Sequence, residues 1–423
     1  MEIAISTFGA ILALVIALTL IIKKTPPAYA LILGALVGGF VGCFDVEFVV
    51  SKMLLGAQDI CKPTMRVLAA GVLAGVLIQS GAALKIAYSI KNAMGEKFAI
   101  ASIILSAFIL TASGVFIDVA VLTVAPIALV LASKSNYSRM AILIALIGGG
   151  KSGNIISPNP NTIVGAENFG VQMTDVMLRS IPASICGLIV TLIISYMLIK
   201  KGDGVSESEN LSEEKILPSL WASLIGPATA IFLLILRPLA NINIDPMIAL
   251  PIGGIVSAIC MGKFLQLNSY IKLGLEKMTP IAVLLLGTGT VAGIIQASTL
   301  KTNIADFMKY FGIADALLAP LSGIMMSGAA ASTVAGATIA SATFAEIITA
   351  SGVNAIWGAV MVCAGATVLD HLPHGSFFHV SGGSVNMNFK NRLKLIPYES
   401  LIGGTLAFVA TLSYYIVQIF FGV

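Results

Sequence analysis

The chain has 423 residues, of which 57% are hydrophobic and only 10% are charged. Soluble domains carry about 25% charged residues, so this composition excludes a water-soluble protein and indicates a polytopic membrane protein with room for ten or more spans. The net charge of +4 comes without a basic tract, which argues against a nucleic-acid partner. The five cysteines have no CxxC spacing, so we expect neither a zinc site nor a disulfide framework.

The first half of the chain, residues 1–200, is predicted to contain one re-entrant hairpin and one broken helix. The stretch of 36 residues between Lys97 and Lys134 is too long for one membrane span and too short for two. Their centre is rich in Gly, Ala and Ser, which predicts a re-entrant hairpin over about 98–133. The segment "SPNPNT" (157–162) interrupts the next apolar run, which predicts a broken helix over about 140–166.

The second half, residues 219–423, follows a polar segment (201–218) that we interpret as a cytoplasmic linker. It is predicted to contain a hairpin over about 316–346 and a broken helix over about 355–383, because "SGAAASTVAGATIAS" and "DHLPHGS" interrupt its apolar runs. The segment "AGVLIQSGAALKI" of the first half recurs as "AGIIQASTLKT" in the second. The chain is therefore predicted to consist of two homologous halves.

The distribution of positive charge predicts the orientation of these halves. If each broken helix crosses the membrane once and each hairpin not at all, the chain makes ten crossings. Sixteen of the 24 Lys and Arg residues then fall on the cytoplasmic side and seven outside when both termini are outside. We therefore expect an all-α polytopic protein of the inner (cytoplasmic) membrane. It would have two inverted repeats, about ten transmembrane helices, two re-entrant hairpins and two broken helices, an organisation typical of secondary transporters.

Two ionisable residues lie inside apolar segments. Asp118 is near the tip of the first hairpin, and Lys151 stands alone between two apolar runs. Intramembrane ionisable groups usually have a function, so Asp118 is a candidate proton carrier and Lys151 a candidate coupling or substrate residue. The alternative is a structural ion pair between the two, and a second functional hypothesis is a cation/proton antiporter that uses both.

The second broken helix carries all three histidines of the chain, His371, His374 and His379. Imidazoles titrate near neutral pH and hydrogen-bond hydroxyls and carboxylates, which favours a substrate or proton role, above all for His371. Zinc binding or a structural network are the alternatives, but the spacing fits no closed zinc pattern. We expect no metal and no cofactor.

Polar and small residues at the hairpin tips and helix breaks are the substrate-binding candidates, because interrupted helices leave backbone and side-chain groups free for a ligand. A polar turn or close helix packing is the simpler explanation for each of them. The candidates are Ser113, Gly114, Ser157, Asn159, Asn161, Thr162, Ser332, Thr333, His371, His374 and Ser376. The proton-coupling candidates are Asp118, Lys151 and His371.

An enzymatic function is not expected. The segment "GGGKS" (148–152) ends like a phosphate-binding loop, but Ala145 occupies the position of the leading glycine. No nucleophile elbow or HExxH motif is present. A membrane-embedded metalloenzyme would be the rival class, and two inverted halves argue against it.

The run "TASGVFIDVAVLTVAPIALVLASKSN", the "SPNPNT" break and "DHLPHGSFFH" resemble the gluconate:proton symporter (gluconate permease) family of the ion transporter superfamily. The resemblance implies proton-coupled uptake, with sodium as a possible coupling ion, of gluconate, other sugar acids, small hydroxy acids or D-serine. It also implies an elevator-like mobile domain and a homodimer in the lipid bilayer. Asp118 corresponds to a family glutamate and His371 to a family histidine, whereas His374 replaces an acidic residue and Asn159 a histidine. The expected substrate is therefore a small hydroxylated organic anion.

Overall fold

The computed structural model describes residues 4–95, 98–205, 217–242, 244–300, 303, 315–373 and 375–421. The first half forms helices that begin and end as follows: α1 Thr7–Ile22, α2 Pro27–Cys43, α3 Val46–Asp59, α4 Cys61–Gln79, α5 Ala82–Met94, α6 Ala99–Ala112, α7 Ile117–Ser135, α8 Arg139–Asn154, α9 Pro160–Asn168, α10 Met173–Arg179 and α11 Ile181–Leu198. Most of the predicted linker, residues 206–216, lies outside the described residues.

The second half repeats this pattern with helices α12 Leu220–Ala240, α13 Pro246–Cys260, α14 Leu267–Gln296, α15 Leu318–Ala330, α16 Thr333–Ala350, α17 Ala355–Gly365, α18 Ser376–Ser384, α19 Phe389–Leu393 and α20 Ile396–Phe421. In the described part of the chain, extended backbone pairs only at two isolated bridges. Six helical segments there are long and apolar enough to cross a membrane. The protein is therefore an all-α, multi-pass membrane protein, as predicted.

Both predicted hairpin regions consist of two helices joined by a short turn. Helices α6 and α7 are joined by a turn in which Gly114 has a φ of +94°, and α15 and α16 by a turn in which Ala331 has a φ of +45°. Both backbones enter the left-handed region, which glycine adopts freely and alanine does not. The predicted broken helices are also interrupted, between α8 and α9 and between α17 and α18, where prolines and glycines prevent helix continuation.

Helix packing repeats between the halves. Helix α1 packs on α2 as α12 packs on α13, and α6 packs on α8 as α15 packs on α17. The contacts between halves are also paired: α2 meets α14 as α13 meets α4, and α9 meets α16 as α18 meets α7. Each contact between the halves thus occurs twice, with the roles of the two halves exchanged, as expected for two repeats related by a pseudo-two-fold axis.

Small residues allow the central helices to approach closely. Gly56 of α3 meets Gly289 of α14, and Gly71 of α4 meets Gly274 of α14. A Cβ atom at any of these four positions would overlap the backbone of the facing helix. Such small-residue contacts are the usual basis of helix association in membranes, where burial of apolar surface gives no driving force. They hold the long helix α14 against α3 and α4.

Candidate functional site

The two helix breaks meet at a buried ion pair. Lys151, in the last turn of α8, donates from Nζ to Oδ1 of Asp370, which follows α17, at 2.6 Å. Both side chains are only 1% exposed. A charge at such a depth is tolerated only when it is paired and hydrogen-bonded. This ion pair therefore joins the breaks of the two halves.

The remaining donors of Lys151 are also occupied. Its Nζ lies 2.6 Å from the carbonyl oxygen of Thr367 and 3.0 Å from Nδ1 of His371. The second carboxylate oxygen of Asp370 accepts a hydrogen bond of 2.5 Å from the hydroxyl of Thr333, at the start of α16. An ammonium group has three donors, so the protein itself satisfies all three in this conformation.

The sequence-based hypothesis of an ion pair between Lys151 and Asp118 is therefore wrong. The partner is Asp370, which the sequence places 219 positions away. Asp118 instead lies in the first turn of α7 with an exposed side chain. A carboxylate in the first helical turn is stabilised by the helix dipole.

The buried network continues beyond His371 to the last helix. Glu399 of α20 is fully buried, and its Oε2 lies 3.8 Å from Nδ1 of His371. Arg392 of α19 holds this carboxylate, with Nη2 3.1 Å from Oε2 and a second, shorter contact from Nη1 to Oε1. Its guanidinium also lies over the ring of Phe378. Arg392 is itself buried and paired with Glu399.

The first break is organised around Asn159. Its Oδ1 accepts from the backbone N–H of Asn161 at 3.0 Å and of Thr162 at 3.4 Å, and its Nδ2 donates to Oγ of Ser157 at 2.6 Å. Asn159 is thus the N-cap of α9, a role for which asparagine is strongly preferred. Ser157 donates in turn to the carbonyl oxygen of Asn154 at 3.0 Å. Both candidates serve the local fold in this conformation.

Asn161 and Thr162 differ from these capping residues. Both are buried, yet Oδ1 of Asn161 and Oγ1 of Thr162 have no hydrogen-bond partner among the described residues. Buried polar groups without a partner are rare and usually mark a water or ligand position. Among the predicted site residues, these two therefore have side-chain oxygens that are not used by the local fold.

Each hairpin tip lies against the break of its own half. Gly114 faces Pro158, and the carbonyl of Ala331 faces Gly375 so closely that a Cβ atom there would overlap it. The adjoining Ser113 is buried and donates to the Ile109 carbonyl at 2.6 Å.

The other candidates near the second tip and break have different surroundings. Ser332 is the N-cap of α16, where its hydroxyl accepts from the N–H of Ala335 at 3.3 Å. Ser376 begins α18 with an exposed side chain. His374 lies outside the described residues. His379 is exposed and contacts the Pro373 carbonyl at 2.9 Å. The structure therefore brings His371 and Thr333 together with Lys151, whereas Ser376 and His379 stand apart.

The glycine run "GGGKS" is helical and belongs to α8. A Cβ atom at Gly149 would overlap the Ile104 carbonyl, and one at Gly153 would overlap the Phe108 carbonyl. These glycines let α6, the first arm of the hairpin, pack directly on α8. Their function is close helix packing, in agreement with the rejection of a phosphate-binding loop.

A second charged cluster lies at the other end of α9, where Glu167 faces α4. Oε1 of Glu167 is 2.9 Å from Nζ of Lys62, and Oε2 contacts Arg66. Arg66 also donates from Nε to Asp245, just before α13, at 3.1 Å. Burial alone would raise the pKa of Asp245, but the hydrogen bonds and charge of Arg66 outweigh it and hold this pKa below its usual 3.8. The cluster borders cavities of about 200 and 130 Å³.

The carboxylates Asp370 and Glu399 were not among the site residues predicted from the sequence. Asp370 interrupts a long uncharged run and is adjacent to His371, so the rule that singled out Asp118 applied to it equally. Glu399 was harder to single out as an intramembrane charge, because it lies just before the last apolar run and close to Arg392 in the sequence.

Known proteins resemble this chain over nearly its whole length. The family model described as "GntP family permease" matches residues 1–417. The chain belongs to this family. It is 52% identical to an "Uncharacterized transporter" of Haemophilus influenzae, covering 97% of this chain and 98% of the relative.

More distant relatives have named substrates. The chain is 22% identical to the "High-affinity gluconate transporter" of Escherichia coli, over 90% of this chain and 92% of the relative. It is 23% identical to the "Gluconate permease" of Pseudomonas aeruginosa, over 92% and 93%. The fold resembles the crystal structure of the Alcanivorax borkumensis YdaH transporter, with a TM-score of 0.70 at 14% identity, over 98% of this chain and 99% of that one. The permease is a transporter and not an enzyme.

Proposed function

We propose that this permease is a secondary active transporter that carries a small hydroxylated organic anion together with protons. Gluconate or a related sugar acid or hydroxy acid is the expected class, because two relatives are named as gluconate transporters. The observation that carries the proposal is the meeting of both helix breaks and the second hairpin tip at Lys151 and Asp370. Interrupted helices that meet in a buried polar site are the usual substrate position in such transporters.

The site has groups that suit an anion with hydroxyls. Helix α16 begins there, because its first residue, Thr333, hydrogen-bonds Asp370, and its N-terminus carries partial positive charge that favours a carboxylate. Asn161 and Thr162 offer polar atoms without protein partners for the hydroxyl groups. The other candidates near this site are expected to position these contacts.

Proton coupling is assigned to two places. Asp118 is a carboxylate in the first turn of α7, beside the first hairpin tip. His371 lies in the buried network with Lys151. Transport would then move the hairpins and breaks as an elevator-like domain against α1–α5 and α12–α14. We further propose a homodimer in the inner membrane with both termini outside.

The antiporter alternative is not supported by a comparable observation. It requires Asp118 and Lys151 to act at one site, but Lys151 is held by Asp370, Thr367 and His371. No specific contact therefore favours it over symport.

The test is uptake by proteoliposomes of radiolabelled gluconate, glycerate, lactate and D-serine. An inward proton gradient is imposed, and sodium is present or omitted. We expect accumulation of at least one hydroxy acid that collapses with a protonophore and does not depend on sodium. Uptake of none of these compounds, together with cation-dependent release of internal protons, would replace the proposal by antiport.

The variant Asp118→Asn tests the coupling residue. We expect it to bind the substrate but to lose proton-driven accumulation. Glu47→Gln is the matched control, since Glu47 is also an exposed acid in the first turn of a helix. Full accumulation by Asp118→Asn would exclude Asp118 from coupling.

A further inference from the structure

The imidazole of His371 has different partners at its two nitrogens. Nδ1 faces Nζ of Lys151 at 3.0 Å, Oδ1 of Asp370 at 3.1 Å and Oε2 of Glu399 at 3.8 Å. Nε2 faces the carbonyl oxygen of Ile396 at 3.1 Å and the hydroxyl of Ser400 at 3.3 Å. The ring itself is fully buried.

These partners determine the tautomer of the neutral ring. The ammonium of Lys151 can only donate, so Nδ1 must offer its lone pair. The carbonyl of Ile396 can only accept, so Nε2 must carry the hydrogen. The neutral form of His371 that satisfies both neighbours is therefore the Nε2–H tautomer.

The charges of the network are balanced around this neutral ring. Lys151 and Arg392 are each paired with one carboxylate, Asp370 and Glu399 respectively. A proton added to this tautomer enters at Nδ1, where Oδ1 of Asp370 lies 3.1 Å away to accept it and the negative charge of Glu399 lies 3.8 Å away. The same proton removes the lone pair that Lys151 uses and gives the network one net positive charge.

We propose that His371 is a proton-operated switch that controls the availability of Lys151. In the neutral state, Nδ1 occupies one donor of the ammonium. In the protonated state, Nδ1–H turns to Asp370 and Glu399, and the freed donor of Lys151 becomes available to the carboxylate of a small organic anion. Glu399 and Arg392 are positioning residues, because they hold the second proton acceptor beside the ring.

The switch rests on the proposed function, in which an anion and a proton travel together, and it makes the binding of the two cooperative. A proton at His371 increases the affinity for an anion, and by linkage the anion increases the affinity for the proton by the same factor. The charged groups that face the ring are Lys151 from α8, Asp370 from the second break and Glu399 from α20, with Arg392 behind Glu399.

The experiment is nitrogen NMR of purified protein labelled with ¹⁵N-histidine. The chain has only three histidines, so the variants His374→Gln and His379→Gln assign the signals. At high pH we expect His371 to show a bare Nδ1 and a protonated Nε2, and at low pH two protonated nitrogens. A neutral Nδ1–H tautomer, or no protonation of His371 between about pH 5 and 9, would overturn the switch.

Two further measurements test the role of Glu399 and the link between His371 and anion binding. Glu399→Gln removes one acceptor and one negative charge, so proton binding at His371 should weaken at least about tenfold, whereas Glu47→Gln should leave it unchanged. Unchanged proton binding in a folded Glu399→Gln variant would exclude Glu399. Addition of gluconate should raise the pH at which wild-type His371 becomes protonated, and no change would separate the ring from anion binding.

The wild-type tautomer is measured without Glu399→Gln and without substrate, so misfolding of Glu399→Gln leaves the proposal testable. Together with the uptake assay, the tautomer also distinguishes failure of the proposed function from failure of the switch. If His371 titrates as expected but proteoliposomes take up no carboxylate, the proposed function is wrong and the proton-dependent change at Lys151 stands. If uptake is proton-driven but the tautomer is Nδ1–H, the switch is wrong and the proposed function stands.

Discussion

The ion pair between Lys151 and Asp370 makes a quantitative prediction about stability. Each side chain is 1% exposed, so Lys151→Met would leave the carboxylate of Asp370 buried without its cation. Removal of one partner of a buried ion pair destabilises a protein by about 3–5 kcal/mol, mainly because the other charge is left uncompensated. Asp370→Leu should have an effect of similar size for the opposite charge.

The double variant Lys151→Met/Asp370→Leu should behave differently from either single variant. It removes both buried charges, and replacement of a buried pair by apolar residues is often neutral or stabilising by about 1–4 kcal/mol. The double variant should therefore recover most of the stability that each single variant loses. Transport should be lost in all three, because none of them retains Lys151 and Asp370 together.

The assay is the melting temperature of purified protein in detergent. An unfolding entropy of about 2.1 cal/mol/K per residue gives about 1 °C per kcal/mol for 423 residues, so each single variant should melt roughly 3–5 °C lower. Lys272→Met is the control, because Lys272 is an exposed lysine of α14. Single variants as stable as the wild type, or a double variant as unstable as the sum of both, would refute the reasoning.

Three further predictions concern the scaffold and the breaks. Gly274→Val should abolish the yield of monodisperse protein in fluorescence-detected chromatography, because a Cβ atom there would overlap the Gly71 carbonyl; Gly404→Val, with open space around it, should not. Asn159→Ala should lower stability by about 1 kcal/mol through loss of the N-cap while Asn159→Ser retains most of it, measured by melting temperature; equal losses would exclude the cap. The pKa of Asp245 is lowered below 3.8, so its stabilising contact with Arg66 is complete above that pH and is lost only as the pH falls through the lowered value. Asp245→Asn should therefore lower the melting temperature equally at pH 5 and pH 8, and a difference between them would contradict this.

Much of the helix pattern was predictable because local composition determines where membrane helices stop. The Pro–Asn–Pro segment 158–160 cannot continue a helix, and the structure ends α8 at Asn154 and starts α9 at Pro160. The turn at Gly114 was also predictable, because glycine is the only residue type that enters the left-handed region without strain. The repeated glutamines Gln79 and Gln296 both end long helices, α4 and α14.

The partner of Lys151 was not predictable in the same way. Asp118 is closer in sequence and lies in the adjoining apolar run, whereas Asp370 belongs to the other half. Only the packing of the two halves determines which carboxylate meets the ammonium, and neither apolar periodicity nor residue spacing contains that information. The same holds for Glu399 and Arg392, which reach His371 through α19 and α20.

The two halves have equivalent helices but different charges, and this difference gives the site its chemistry. Counted from the helix ends, Lys151 in α8 corresponds to Val362 in α17, whereas the breaks that follow differ in length and span 155–159 and 366–375. The first half thus supplies the ammonium and the longer second break supplies the carboxylate of the buried ion pair. A repeated backbone brings both breaks to one place, whereas the side chains that meet there differ between the halves: Lys151 comes from the first half, and Asp370 and His371 come from the second. The proposed coupling of a proton to an anion uses that difference, because the imidazole proposed to take the proton and the ammonium proposed to meet the anion come from different halves.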